Sequence, residues 1–511
     1  MFRKVYSTKT NVTANFVGNI WIALLSIVFV PIYLHYLGVE SYGLIGVFSS
    51  IQAFIVLLDF GLSPTLNREL ARLSALEDRT QEMHDIKRTL EIPNWICAVF
   101  IALLLSALAP LIARFWVQPK DLSVETITQA FIILGVNIAI QFSVNFYSGG
   151  LMGLQKQLLL SLINIFCGTL RSVGAFVVLA FVSPTIQGFL LWQGLVLVLQ
   201  IVLMAFTLKN SLPNAPGKGH FQKDSLRKIW RFAAGMTGLT IVGLILTQTD
   251  KVILSRMLNL ETFGYYTLAV TISSMAISMV ASSITHAVYP QFSRLVSLGD
   301  ETALRELYHR SCQIMSALLF PIMIILALFS YDILLVYFGK EEIAANTYLL
   351  LSLVTIGSGL HSLVWLPHSL QLAHGWTKLS FYLNVVAIVF LVPLMVIGVY
   401  KYGAIGGAGS WVILNIFYVL VDVQIMHRRI LKGEQWKWYF EDLAVPFFTA
   451  IMVAGTGKIF LTSNYTKFEI IIGLSIISAM TFLLTAFSTK ATRLYLINFR
   501  NTAVAFVGGD K

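Results

Sequence analysis

Charge is scarce in this chain, so each ionisable group inside an apolar run is a candidate for chemistry. Arg171 lies well inside one such run and Asp59 inside another, while Asp250 and Lys251 follow Thr247 and Gln248 near the end of a third. An unpaired charge in a hydrocarbon setting costs several kcal/mol, so these positions are either structural ion pairs or parts of a site. Arg171 is the hardest of them to assign to a structural pair. Arg68, Arg72 and Arg294 close predicted helices. They read as orientation anchors, or as the mouth of a cavity that draws in a phosphorylated group, because Arg matches phosphate oxygens with paired donors. His286 and His361 are imidazoles able to take up a proton near neutral pH; a satisfied structural histidine is the plainer reading of each.

Polar side chains also recur at helical spacing. Asn11, Asn15, Asn19 and Ser26 share one face, as do Asn137, Gln141, Asn145 and Ser148. A third face presents Gly357, His361, Trp365 and His368, and a fourth Ser274, Ser278, Ser282 and Thr285, with Tyr289. Such faces turn away from lipid, onto another helix or into a wet cavity. The second and third lie 220 residues apart, and that match favours the cavity.

The elements that must position these groups are membrane helices. Of 511 residues 57% are hydrophobic and 12% charged, with a mean hydropathy of +0.77, whereas a soluble chain carries about 25% charged residues. Apolar runs of roughly 20 residues, enough to cross a bilayer, recur from residue 11 to residue 487. They are continuous rather than alternating, which excludes a barrel. The pattern predicts an all-α polytopic membrane protein with about fourteen transmembrane helices, over 11–36, 41–66, 91–115, 126–150, 157–182, 187–208, 230–256, 263–290, 311–337, 344–372, 379–400, 405–426, 442–461 and 468–487. With that arrangement 27 of the 36 Lys and Arg residues fall on the side of both termini and six on the other. The positive-inside bias therefore places both termini in the cytoplasm. It also accounts for the net charge of +11 without nucleic acid. The first run lacks a compact apolar core followed by a small-residue cleavage site and reads as an uncleaved first helix.

The chain repeats itself. Leu37-Gly38-Val39-Glu40-Ser41-Tyr42-Gly43 returns as Leu258-Asn259-Leu260-Glu261-Thr262-Phe263-Gly264 at an offset of 221, and Ala71–Leu76 as Ser293–Leu298 at 222. Phe115-Trp116 matches Tyr337-Phe338, Asn164 matches Asn384, and Gly188 and Trp192 match Gly407 and Trp411. Each half holds six helices, an even number, so the halves are parallel repeats about a pseudo-two-fold along the membrane normal, with a substrate site expected between them. The expected organisation is a six-helix lobe over 1–208, a basic cytoplasmic linker over 209–229, a second six-helix lobe over 230–428, and two further helices with a cytoplasmic tail over 429–511. Pro64 and Pro290 are expected to end or kink the second helix of each half. Cys97, Cys167 and Cys312 sit at unrelated spacings in apolar runs and suggest neither a disulfide framework nor a metal site. No phosphate-binding loop, paired-carboxylate motif or metal-spaced His/Cys set occurs, so neither an enzyme nor a cofactor is expected.

Tyr36-Leu37-Gly38-Val39-Glu40-Ser41-Tyr42-Gly43, Leu58-Asp59-Phe60-Gly61-Leu62-Ser63-Pro64 and Gln248-Thr249-Asp250-Lys251-Val252-Ile253-Leu254 resemble the bacterial polysaccharide transporters. These are the Wzx-type O-antigen and capsule repeat-unit flippases of the multidrug/oligosaccharidyl-lipid/polysaccharide exporter superfamily. The resemblance implies two six-helix lobes around a cavity that opens alternately to each side of the bacterial inner membrane. It implies a substrate of undecaprenyl-diphosphate-linked oligosaccharide, moved from the cytoplasmic to the periplasmic leaflet, and a coupling ion, proton or sodium. Membrane lipid and a polysaccharide polymerase or chain-length protein are the remaining implied partners. Carried onto this chain, Arg171, Lys251, Arg68, Arg72 and Arg294 would hold the diphosphate. Asp59, Asp250, His286 and His361 would be partners or coupling groups, with Asn11, Asn15, Asn19, Asn137, Gln141, Asn145, Trp365 and His368 on polar cavity faces. Two alternatives stand beside this: a membrane polymerase or ligase, which the short outward loops disfavour, and a cation-coupled drug exporter, which the cations Arg171 and Lys251 disfavour.

Overall fold

The computed structural model describes residues 8–55, 59, 61–76, 79–215, 217, 219–222, 241–461 and 466–494, with side chains from Ile20 onward. The chain forms α1 (Thr8–Ile55), α2 (Leu62–Ser74), α3 (Thr80–Leu111), α4 (Val124–Gly153), α5 (Gln157–Val177), α6 (Ile186–Ser211), α7 (241–257), α8 (Leu260–Leu298), α9 (Glu301–Leu328), α10 (Ser330–Phe338), α11 (Glu341–Leu363), α12 (Trp365–Ala373), α13 (Thr377–Phe417), α14 (Val423–Arg429), α15 (Gln435–Lys437), α16 (Val445–Phe460) and α17 (Lys467–Ser488). Single π-helical turns follow α3, α5, α13 and α15. Among the described residues there is no strand beyond an isolated bridge between Gln118 and Asn259.

Eleven of these stretches are long and apolar enough to cross a membrane. Two of them, α1 and α13, are helices joined at a glycine. Gly38 and Gly403 take φ of 76° and 59°, left-handed values that only glycine reaches cheaply. Broken there, and with α7 included, the helices are compatible with the fourteen expected. Large apolar side chains remain exposed, Phe181 at 79% and Ile459 at 77%, as suits a surface that faces lipid rather than water.

Two compact units, Met1–Gly264 and Tyr265–Lys511, divide the chain. In the first, α2 buries Leu62, Leu66, Leu70 and Leu73 at helical spacing against Met83, Leu90, Phe146, Leu151, Met204 and Leu208. The expected second helix over 41–66 is not continuous. It ends at Ile55, and α2 starts afresh after Gly61, whose φ is 74°. Pro64 sits in the first turn of α2, where its missing N–H costs nothing. Pro290, by contrast, lies inside α8 without ending it. The described part of the connector packs along α3: Asp85 accepts from His220 N at 2.8 Å and from Gln222 Nε2 at 3.0 Å, and Gln222 N donates to Thr89 Oγ1.

The repeated phrase meets its own copy inside the first unit. A Cβ on Gly43 would stand 2.2 Å from the Leu260 carbonyl oxygen, and one on Gly264 2.3 Å from that of Val39. Only glycines allow this approach. Both glutamates of the phrase hold one loop. Buried Glu40 accepts from the backbone N–H groups of Lys120, Asp121 and Leu122 at 2.7, 3.0 and 3.1 Å, and Glu261 pairs with Lys120 Nζ at 2.7 Å. Trp116 Nε1 donates to Ser255 Oγ and Gln118 Nε2 to the Arg256 carbonyl, each at 3.0 Å.

In the second unit α9 packs against α11, α16 and α17. Lys458, a lone cation within an apolar run of the sequence, is paired: its Nζ lies 2.5 Å from Asp332 and 4.9 Å from the centre of the Phe329 ring.

Candidate functional site

Helices α1, α4, α5 and α6 line an open cavity of about 250 Å³ in the first unit. Ser49 and Gln52 reach it from α1, Asn137 and Gln141 from α4, Arg171 from α5 and Gln193 from α6, between the rings of Phe48 and Phe189. Asn137 is buried and donates to the Leu190 carbonyl at 2.8 Å, which locks α4 to α6. Gln141 donates to Asn145 at 3.2 Å along α4. Arg171 directs Nη2 to Gln200 Oε1 at 2.7 Å, and Gln200 in turn donates to Asn164 at 3.1 Å. Its Nε is buried and makes no hydrogen bond.

This is a cation set in neutral amides, and the sequence anticipates half of it. Arg171, Asn137 and Gln141, each a candidate from the sequence, line one cavity; Gln52, Gln193 and Gln200 are not singled out by the sequence. Gln193 and Gln200 lie seven residues apart on one face of a predicted helix, the same kind of signal that drew attention to Asn137 and Gln141.

The other candidates are dispersed. Lys251, half-buried on α7, donates to Gln248 at 3.2 Å, and Asp250 beside it is also half-buried. Asp59 sits in the break before α2, where it accepts from Ser63 Oγ at 2.8 Å and from Ser63 N at 3.3 Å. It thereby caps that helix. Arg68 and Arg72, both exposed, flank Glu69 at 2.7 and 3.0 Å. Burial alone would raise the Glu69 carboxyl, but the hydrogen bonds from Arg68 and Arg72 outweigh it and hold the group below the usual carboxylate range. Asn11, Asn15 and Asn19 fall on α1, but their side chains lie outside the described residues.

In the second unit Arg294 and His286 are exposed on α8. His361 on α11 donates from Nδ1 to Asn415 Oδ1 at 3.0 Å and packs against the rings of Trp365 and Trp411. His368 lies 3.1 Å from Ser380 Oγ, which also donates to Gln371 Oε1 at 3.1 Å. Gln371 donates to Asp422 at 2.9 Å. Asp422, 4% exposed, is a buried carboxylate that the sequence pattern does not single out. It is one turn inside the end of an apolar run, where a flanking charge and a buried one look alike.

A bundle of apolar helices broken by glycine, with a polar cavity walled by amides and one guanidinium, is the architecture of a membrane transporter. Solved structures share the fold. The inward closed conformation of the lipid II flippase MurJ matches over 94% of this chain and 98% of its own, with a TM-score of 0.72 at 16% identity. An inward-facing MATE multidrug resistance transporter of the MOP superfamily matches over 80% and 94%, with a TM-score of 0.66 at 16% identity. Residues 8–296 match the family model described as polysaccharide biosynthesis protein, and the chain belongs to that family. A provisionally named O-antigen transporter of Shigella flexneri is 22% identical over 77% of this chain and 91% of its own. The succinoglycan biosynthesis transport protein ExoT of Rhizobium meliloti is 22% identical over 84% and 79%. The chain is thus an integral membrane protein of a transporter family rather than an enzyme.

Proposed function

We propose that this protein moves undecaprenyl-diphosphate-linked oligosaccharide from the cytoplasmic to the periplasmic leaflet of a bacterial inner membrane, for surface polysaccharide assembly. Transport follows ion-coupled alternating access between lobes 1–208 and 230–428, joined by the linker 209–229 and flanked by 429–511, with both termini cytoplasmic. The observation that carries the reading is Arg171, a cation kept inside a membrane cavity among amides that can bond hydroxyl groups. Relatives named as transporters of surface polysaccharides support it. Lys251, Arg68, Arg72 and Arg294 assist in holding the anionic substrate, and Asn11, Asn15, Asn19, Asn137, Gln141 and Asn145 line its polar path. Trp365 and His368 lie on a further polar face, and Asp59, Asp250, His286 and His361 serve coupling or partner the cations; the coupling ion is a proton or sodium, and a polymerase or chain-length protein receives the product. The test is a deletion strain. Loss of surface polysaccharide with build-up of lipid-linked precursor is the expected result, reversed by the wild-type gene; normal polymer without precursor build-up would sink the proposal.

A further inference from the structure

The cavity around Arg171 carries one cation and many neutral donors and acceptors, and that ratio speaks to which part of a substrate it holds. Of its described lining side chains Arg171 alone is charged, and Gln52, Asn137, Gln141 and Gln193 are amides. A diphosphate esterified at both ends, as in a lipid-linked glycan, carries a negative charge on each phosphate, so it needs more than one cation. One guanidinium would leave much of that charge unpaired away from bulk water, at a cost of several kcal/mol. A single carboxylate is balanced by a single guanidinium, and Arg binds carboxylates through paired N–H donors. Donors remain for it: among the described residues Arg171 makes one hydrogen bond, from Nη2 to Gln200 at 2.7 Å, and although Nε is buried out of reach, Nη1 is left to pair with a ligand. The amides offer both donors and acceptors, as ring hydroxyls require, and the Phe48 and Phe189 rings offer apolar faces. About 250 Å³ falls just below the ~300–1,000 Å³ of typical ligand sites, which suits one sugar ring and not a whole repeat unit.

We propose that this cavity is a subsite for one acidic sugar of the glycan, with Arg171 pairing its carboxylate, and that the diphosphate is held elsewhere. The inference rests on the transporter reading and assigns Arg171 to the glycan rather than to the lipid head group. Gln200 is a positioning residue, holding the guanidinium at the cavity wall.

The experiment uses the full-length protein in lipid nanodiscs and saturation-transfer NMR, with D-glucuronate, D-glucose and inorganic pyrophosphate as probes. D-glucuronate is expected to bind about tenfold more tightly than D-glucose, the worth of one charge-assisted pair, and pyrophosphate is expected not to displace it. Arg171→Gln should bring glucuronate binding down to about the level of glucose in the same variant, and a thermal melt of the nanodisc protein shows separately that the variant is folded. Arg171→Lys, which keeps the charge and loses the fork, should retain part of the preference. Displacement by pyrophosphate, equal binding of both sugars, or an unchanged preference in Arg171→Gln would each overturn the assignment. The two readings fail separately. Precursor build-up in the deletion strain without glucuronate preference sinks only the acidic-sugar subsite. An Arg171-dependent preference without precursor build-up sinks only the flippase.

Discussion

The helices that the repeat equates, α4 and α6 in the first unit with α11 and α13 in the second, share a frame and are furnished differently. The two matching tryptophans each stand against a glycine, but on different helices: Trp192 of α6 against Gly174 of α5, and Trp411 of α13 against Gly357 of α11. At the positions between, the first unit places Asn137 and Gln141 beside a cavity with Arg171. The second places Gly357 and His361 at the matching offset of 220 and continues to the buried Asp422. At these matched helices the first unit sets a fixed cation beside open space, and the second sets His361 against the rings of Trp365 and Trp411 and buries Asp422. A frame duplicated for geometry has been divided in chemistry: space and a permanent charge suit a substrate, and a packed imidazole and carboxylate suit a small ion.

The comparison breaks first at Arg171. Arg171→Ala is expected to lower surface polymer at least about tenfold, the loss of one charge-assisted contact worth ~1.5–3 kcal/mol, with insertion unchanged on a membrane blot; wild-type polymer would remove the guanidinium from the site. Next come His361→Ala and Asp422→Asn. Both should weaken the dependence of transport on an imposed ion gradient in vesicles while leaving sugar binding intact. If instead sugar binding falls and gradient dependence stays, the division between the units is wrong. Gly43→Val should be felt structurally rather than chemically. Its side chain would enter the Leu260 carbonyl, and overpacking of about 1–3 kcal/mol should appear as a lower melting temperature. The smallest effect is expected at Glu69→Gln. Because the Glu69 carboxyl titrates lower in the folded state than unfolded, its contribution is present above the unfolded value and lost as pH falls through the folded one. The variant should differ from wild type in thermal stability at neutral pH and converge with it on acidification; an unchanged difference in acid would deny the Arg68–Glu69–Arg72 cluster that role.

Much of the fold was legible because hydropathy alone specifies membrane helices, and the glycine-bearing repeat marked where they break. Gly38 and Gly403 could be expected at helix ends. The fresh start of α2 after Gly61 could not, since the apolar run continues up to it and the cause is the left-handed Gly61 with Asp59 capping the helix. The site was legible only where polar residues recur along one helix. Asn137 and Gln141 announced themselves; Gln52, Gln193 and Gln200 come from neighbouring helices, and their convergence on Arg171 is a fact of packing that no single periodicity carries. Glu40 was noticed as a repeated letter, and its role, gathering three backbone N–H groups of the 120–122 loop, follows from contacts some 80 residues apart.

The central claim, movement of a lipid-linked oligosaccharide between leaflets, is tested most directly with the purified protein in sealed vesicles loaded with a labelled undecaprenyl-diphosphate oligosaccharide. A membrane-impermeant glycosidase added outside should reach the inner-leaflet pool in vesicles holding the wild-type chain, and far more slowly with Arg171→Ala. Protection of that pool equal to protein-free vesicles, under an imposed proton or sodium gradient, would contradict the account.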